Sequence, residues 1–419
     1  MKIAILGGGV AGLSAAIALV KKGFGVDVFE RHKSSSDIGA GIVCWPNASF
    51  VLDKLGMLND MKKVSGTPDK MRRLSSQGEH LGEIDLRILN GAMGYESYSI
   101  LRKDMMEIFE RHAYMSGVNI HYNHNVKELN SNESGYAQVT FEIETQIKGD
   151  KPNKIEKKLK ADLIIGAEGR MNSTSRAFVC GDNSPVYQGF INWVGVFQSE
   201  TAFFEDISVF DYWGVGARFG IVPICEKTAY WAGGVASKTV EKKVSVNDKN
   251  ELKSLFQDWP NPVLHVIENS PPKSINKIYV HDHNPIDVWY RDNVLLIGDA
   301  AHAPLPTSGQ GACQALEDAW LLAEILSDKN ADMIEGVTTG DAENLTANLT
   351  ANLTRSFNLF NQRRLEKTSN IIMGGRHFAA SLYNDSEDFC AERNAASKNM
   401  DFNAVAKGMA RGWANGLPL

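Results

Sequence analysis

Met1-Lys2-Ile3-Ala4-Ile5-Leu6-Gly7-Gly8-Gly9-Val10-Ala11-Gly12-Leu13 opens the chain, and the stretch from here to Glu30 decides how the rest is read. Ile3–Leu6 is a short apolar run of buried-strand character that breaks at three glycines. It resumes as a helix with Leu13, Ala16, Ile17 and Val20 on one face, stopped at Lys21-Lys22-Gly23. Val26–Phe29 is the next strand. Gly7, Gly9 and Gly12 have the G-x-G-x-x-G spacing: one glycine for the tight turn, one for a pyrophosphate against the backbone, one for close helix–strand packing. The helix N-terminus offers free N–H groups and the positive end of its dipole to phosphates. Glu30 ends the second strand, near the spacing at which a carboxylate takes ribose hydroxyls. Strand, turn, helix, strand and acid in this order define a dinucleotide site. A signal peptide is the competing reading of the same apolar run, but three consecutive glycines and the orderly second strand argue against it.

Outward from this unit, 419 residues suggest two or three domains. A net charge of −6, with no basic patch interleaved with aromatics, gives no reason to propose nucleic acid. No later stretch is long and apolar enough to span a bilayer. Five scattered cysteines without C-x-x-C spacing fit reduced thiols, hence a cytoplasmic setting.

Ile38-Gly39-Ala40-Gly41-Ile42 is either an ordinary turn or backbone held close to something flat. Helices are expected at Ser49–Leu55 and from Arg102, and paired strands at Met71–Leu74 and Gly82–Leu86. Arg102 suits a phosphate or a ring edge as well as it suits a surface salt bridge. Val118–Tyr122 and Tyr136–Glu144 read as strands, with a lysine-rich hairpin tip at Lys148–Lys160. Ala161–Gly169 is another buried strand ending on a glycine turn, with Arg176 following. From Tyr187 to Trp231 the chain turns aromatic, and Trp193, Tyr212 and Phe219 are candidates to wall a pocket for a planar ligand. Within it, alternation puts Arg218 and Gly220 on one face of a strand, Phe219 and Ile221 on the other. Arg218 is a candidate for an anionic or carbonyl-bearing substrate, with Arg72 and Arg73 as competitors and a surface ion pair as the plain alternative. His281-Asp282-His283 lacks a third ligand at useful spacing, so no metal site is expected. Asn293–Ile297 is a strand broken by Gly298-Asp299-Ala300-Ala301-His302-Ala303-Pro304, and a helix runs on from Gly311. The tandem N-x-T triplets at Asn344, Asn348 and Asn352 are read as incidental, and Phe357–Met373 as a basic helix.

The glycine fingerprint with Glu30, the Glu168-Gly169 strand end with Arg176, and Gly298–Pro304 together resemble the single-component flavoprotein aromatic hydroxylases of the para-hydroxybenzoate hydroxylase type. The resemblance runs from Met1 to about Arg364. It implies an α/β fold in which a Rossmann-like FAD-binding domain (1–70, 100–180, 282–330) is interleaved with a mixed-sheet substrate domain (71–99, 181–281), with C-terminal helices over 331–419. It implies a monooxygenase that consumes NADH or NADPH and O2 and hydroxylates an aromatic or conjugated small molecule through a flavin C4a-hydroperoxide. An epoxidase or Baeyer–Villiger outcome uses the same chemistry. A non-catalytic flavin-binding redox sensor is the rival from another class, and a halogenase ranks low because no W-x-W-x-I-P stretch is present. Carried over by position, the cofactor residues are Gly7, Gly9, Gly12, Glu30, Arg31, Gly41, Arg102, Glu168, Asp299, Pro306, Gly309, Gln310, Gly311 and Ala312. Pro304, Gly309 and Gly311 lie where the flavin ring reacts. Two departures stand out: Glu168 replaces the usual Asp, and the stretch from it to Arg176 is one residue longer. A homodimer is left open.

Overall fold

The computed structural model describes residues 1–34, 40–131, 136–145, 153–240, 249–328 and 342–419. Residues 38 and 39 of the glycine loop and 148–152 of the lysine-rich hairpin tip fall outside them; 153–160 of that tip are instead strand, within Asn153–Ala161 paired antiparallel with Ala137–Thr145.

The opening strand, Lys2–Leu6, lies in the interior of a six-stranded sheet, parallel to Gly25–Phe29 on one side and Leu163–Gly166 on the other. Asn119–His121 and Val294–Leu296 extend it in parallel, and Tyr290–Arg291 adds an antiparallel edge. Near-continuous apolar runs build it because both faces are covered. The fingerprint helix Val10–Lys21 buries Leu13, Ile17 and Leu19 against the sheet and the helix Gly311–Ser327. Each of those side chains contributes about 1.5–3 kcal/mol on burial.

A second, seven-stranded sheet runs in the order Asn276–Asp282, Val186–Gln198, Thr228–Ala236, Ala217–Cys225, Ser208–Trp213, Lys70–Ser75, His80–Asp85. Only the Ser208–Trp213/Lys70–Ser75 pairing is parallel, so this sheet is mixed. Its two faces have different fates. One carries Trp193, Tyr212, Phe219, Ile221 and Trp231 into a core closed by the helices Lys249–Leu255 and Asn261–Asn269 through Leu252, Phe256, Val263 and Val266. The other looks toward the nucleotide-binding half.

The basic helix expected at Phe357–Met373 lies within a longer one. The helix Ala342–Leu382 runs through Gly374-Gly375, and Glu387–Lys398 and Phe402–Ala414 follow. Two adjacent glycines cost a helix about 1 kcal/mol each relative to Ala, which packing here offsets. The last helix starts at Asp401, whose carboxylate accepts from the Ala404 N–H at 3.0 Å. Its Phe402 ring lies where a Cβ at Gly82 would sit, 2.1 Å from that position, so only glycine at 82 lets this helix dock.

Candidate active site

The fingerprint turn forms a cradle. Gly7 has φ +109°, and a Cβ there would fall 2.3 Å from the Ala167 carbonyl oxygen. A Cβ at Gly12 would come within 1.9 Å of the Gly7 carbonyl, so helix and strand touch through backbone. At Gly9 a Cβ would meet no atom within 4 Å. The open side of the turn leads into a cavity of about 240 Å³ lined by Gly7, Gly8, Gly9, Glu30, Arg31, Arg102, Glu168 and Gly169. The residues present therefore fit the ADP end of a dinucleotide. Glu30 accepts from the Gly8 N–H (2.7 Å) and the His32 N–H (2.9 Å), which fixes its carboxylate at the cavity wall. Arg102 heads the helix Arg102–Met115 and lines the cavity; burial lowers its pKa while Asp299 and Glu30 pull it back up.

Glu168 behaves differently from expectation. Its carboxylate accepts from the Ser175 N–H (2.8 Å), the Ser175 hydroxyl and the Thr174 N–H (3.3 Å), capping the short helix Thr174–Cys180. It lines the cavity, but its acceptors already serve that helix. Burial pushes its pKa up against those donors. Arg176 donates to the carbonyls of Ala300 (2.8 Å) and Ala301 (3.1 Å), tying this strand end to the Gly298–Pro304 turn. Asp299 is held by Arg170, at 2.9 Å and 3.1 Å, a residue that sequence reasoning passed over although it directly follows Gly169. Of the His281-Asp282-His283 triplet, Asp282 pairs with Arg376 at 2.7 Å and His283 meets the Arg170 carbonyl at 2.7 Å.

Past Asp299 the chain makes the loop Pro304–Gln310 and enters the helix Gly311–Ser327. Gly309 sits at φ +63° and its carbonyl accepts from the Trp45 indole at 3.0 Å. A Cβ at Gly311 would make ordinary contact with Asp299 and Pro304, both 3.8 Å away. Two expected cofactor residues are differently employed. The Gln310 side chain is buried, its oxygen accepting from Asn47 (3.0 Å) and Gln314 (2.9 Å), so its amide nitrogen and its backbone remain for a ligand. At Gly41 the missing Cβ is taken up by Tyr230, whose ring would lie 1.7 Å from it; the glycine accommodates a protein ring.

Below the start of this helix lies a buried charge cluster. Asp318 accepts from the Gly298 N–H (2.7 Å) and pairs with His302 (2.5 Å) and Arg364 (2.7 Å). Burial works to raise the Asp318 carboxyl, but His302 and Arg364 outweigh it and hold it below its usual value. Glu317 pairs with Arg364 (2.5 Å) and Lys367 (2.8 Å). The signal in the sequence is two adjacent acids, Glu317 and Asp318, amid the mostly apolar residues of this helix.

A second, larger cavity of about 500 Å³ opens between the inward face of the seven-stranded sheet, the loop Pro306–Gln310 and the C-terminal helices. Arg218 lines it. Its Nε donates to the buried Asp211 at 2.6 Å, and its guanidinium carbon lies 5.7 Å from the Phe378 ring centre. Burial alone would lower the Arg218 pKa, but Asp211 more than compensates. Trp193, Tyr212 and Phe219 do not reach this cavity. They are on the opposite face, each at most 3% exposed, because strand alternation sends them into the core under the two covering helices. Arg72 points the same way and pairs with Asp206 at 2.5 Å, whereas Arg73 lines the cavity. Tyr230, Trp45, Phe378, Tyr383 and Trp413 also line it and were missed. For Tyr230 the period-2 pattern with Trp231 held the signal; for the others no local signal exists.

A Rossmann-type cradle, a glycine-rich loop leading into a helix and an adjoining cavity with apolar walls define a flavoprotein of the oxygenase kind. The chain belongs to the FAD binding domain family, whose model matches residues 1–333. It is an FAD-dependent monooxygenase, an oxidoreductase that uses NAD(P)H and O2 on an aromatic or conjugated small molecule. It is similar to the aurachin C monooxygenase/isomerase of Stigmatella aurantiaca, 30% identical over 329 residues, covering 78% of this chain and 81% of that one. It is also similar to an FAD-dependent urate hydroxylase of Klebsiella pneumoniae, 28% identical over 330 residues, covering 78% and 81%. The crystal structure of Klebsiella pneumoniae HpxO with FAD and uric acid has the same fold, with a TM-score of 0.81 at 23% identity over 100% of this chain and 97% of that one. Among the described residues no helix is long and apolar enough to cross a membrane.

Proposed function

We propose that the chain hydroxylates a planar substrate bearing an anionic or carbonyl oxygen, held by Arg218 in the larger cavity. One observation carries this reading. Asp211 engages Nε and anchors the guanidinium, while the terminal nitrogens make no hydrogen bond to any described residue and face a cavity otherwise walled largely by apolar side chains. A planar donor fork already fixed in place is preorganised for a carboxylate, phenolate or ring carbonyl.

The smaller cavity would take the ADP end of FAD, and the loop Pro306–Gln310, which borders the larger one, would take its ring. Glu30 would take the ribose hydroxyls, Gly7–Gly12 and Arg31 the phosphates, Asp299 the polyol chain, and Pro304, Pro306 and Gly309–Ala312 the ring. When bound and reduced by NADH or NADPH, the flavin supplies the activation of O2, one oxygen atom going to the substrate and the other to water. The protein's own part is positional. The helix Gly311–Ser327 turns its unpaired N–H groups and positive dipole end toward the ring position, favouring negative charge there. The Trp45–Trp413 pair, with ring centres 5.1 Å apart, Tyr230 and Phe378 keep water from the cavity. The division into segments 1–70, 100–180 and 282–330 against 71–99 and 181–281 is part of the same reading, supported by the strand membership of the two large sheets. A cytoplasmic setting is supported by five free cysteines, and light scattering decides between monomer and homodimer.

Steady-state kinetics on Arg218 variants test the reading. Arg218→Ala retains FAD and raises KM by about ten- to a hundredfold, the loss of a charge-assisted hydrogen bond pair. Arg218→Lys restores little of it, because a point charge does not replace a fork. Wild-type KM in both variants refutes the role.

A further inference from the structure

The sheet face that floors the larger cavity is sorted into rows across the strands. In the first row Met71 pairs with Ile84 on one side and Val209 on the other, and Val222 pairs with Tyr230. In the second, Arg73 pairs with Gly82 and Asp211, Asp211 with Gly220, and Gly220 with Ala232. In the third, Arg218 pairs with Trp213 and Gly234, and Gly234 with Asn192. Successive rows are two residues apart, so the first and third are separated by roughly 13 Å along the strands. The charged groups therefore occupy the far rows, and the near row is apolar up to the Tyr230 hydroxyl.

The surfaces facing these rows are sorted in the same way. Trp45, Met409 and Trp413 belong to the apolar cluster that contains Met71, Ile84, Val209 and Val222, while Phe378 and Tyr383 pack with Trp213. Arg73 stands in the second row, its guanidinium over the Trp213 ring (5.0 Å) and the Phe402 ring (5.2 Å), so the near row itself carries no charged side chain. Met71, Met409 and Trp413 are only half-buried and line the cavity. They form walls of a slot that the protein leaves open. Such a slot offers water few hydrogen-bond partners, so an apolar group entering it gains affinity.

We propose that the substrate is an amphiphile: a planar head whose anionic or carbonyl oxygen meets Arg218, and an aliphatic substituent of several carbons lying between Met71, Val209 and Val222 on one side and Met409 and Trp413 on the other. The assignment rests on the role of Arg218 proposed above, and it adds a specificity element built by the last helix of the chain. A compact single-ring acid fills the polar rows and leaves the slot empty.

Calorimetric titration of the FAD-loaded protein with salicylate and its 5-ethyl, 5-butyl and 5-hexyl derivatives tests it. The Kd falls with each methylene, by up to about fourfold per step, until the slot is full. Met409→Gln cuts the hexyl-to-salicylate affinity ratio several-fold, and Met409→Leu preserves it. A Kd that is flat along the series while salicylate binds overturns the slot and leaves the Arg218 reading intact. A ratio unmoved by Met409→Gln also overturns the slot. Failure of every member to bind the loaded protein overturns the Arg218 reading and the slot together.

Discussion

Lys367 is the side chain through which the charge cluster under the Gly311–Ser327 helix holds the C-terminus of the chain, and replacing it by Met isolates that link. Its Nζ donates to both carboxylate oxygens of Glu317 (2.9 and 2.8 Å) and to the carbonyls of Trp413 (2.6 Å) and Asn415 (2.8 Å). Lys367 and Glu317 are 5% and 1% exposed, so the pair is buried and removal of one partner strands the other. Burial lowers the Lys367 pKa and Glu317 opposes that shift, consistent with a cation kept in place by its acid. Breaking a buried pair costs about 3–5 kcal/mol. Glu317 retains Arg364 at 2.5 Å and Asn47 at 2.7 Å, which favours the lower part of that range. For a chain of this length the unfolding entropy is about 0.9 kcal/mol/K, so Lys367→Met lowers Tm by about 3–6 °C. Met occupies most of the lysine volume, so little of the change is cavity formation. Differential scanning calorimetry measures the shift. The exposed pair Lys63–Asp60 serves as control, with Lys63→Met expected to move Tm by less than about 1 °C. Because Trp413 lines the cavity, the variant also speeds proteolysis beyond Asp401 and weakens ligand binding. A Lys367→Met Tm within 1 °C of wild type, with the C-terminus equally protected, refutes the clamp.

Glu30→Ala removes the acid at the end of the second strand along with its bond to the Gly8 N–H; FAD affinity of the apoprotein falls about ten- to a hundredfold, for a loss of roughly 1.5–3 kcal/mol, and an unchanged titration curve refutes its role. Asp318→Asn tests the acid limb of stability. The folded-state pKa of Asp318 is lowered, so its contribution is fully present above the unfolded value of about 4 and is lost as pH falls through the folded value. Tm plotted against pH below about 4 therefore falls less steeply in the variant than in wild type, and parallel curves refute the assignment.

The fingerprint was legible because its information is local. A buried strand, a turn that only glycine makes at Gly7, and a helix packed backbone to backbone at Gly12 are written in twelve consecutive residues. The mixed sheet was legible in its alternation: Arg218 and Gly220 do share a face opposite Phe219 and Ile221. Alternation specifies two faces without saying what covers each. Trp193, Tyr212 and Phe219 could be placed only once the helices Lys249–Leu255 and Asn261–Asn269 were seen closing over them. The same holds for Glu168, whose acceptors were assigned by the position of the Thr174–Cys180 helix. Sequence alone determined the dinucleotide cradle, the family and the strand that carries Arg218, because those depend on neighbours in the chain. Tertiary structure decided the cavity wall and what supports it: Tyr230 over Gly41 and Trp413 against Trp45 at the wall, and Lys367 on Glu317, fifty residues apart, beneath the Gly311–Ser327 helix. Those contacts join segments that carry no local mark of each other, since burial, ion pairing and ring packing between them exist only after the chain has folded.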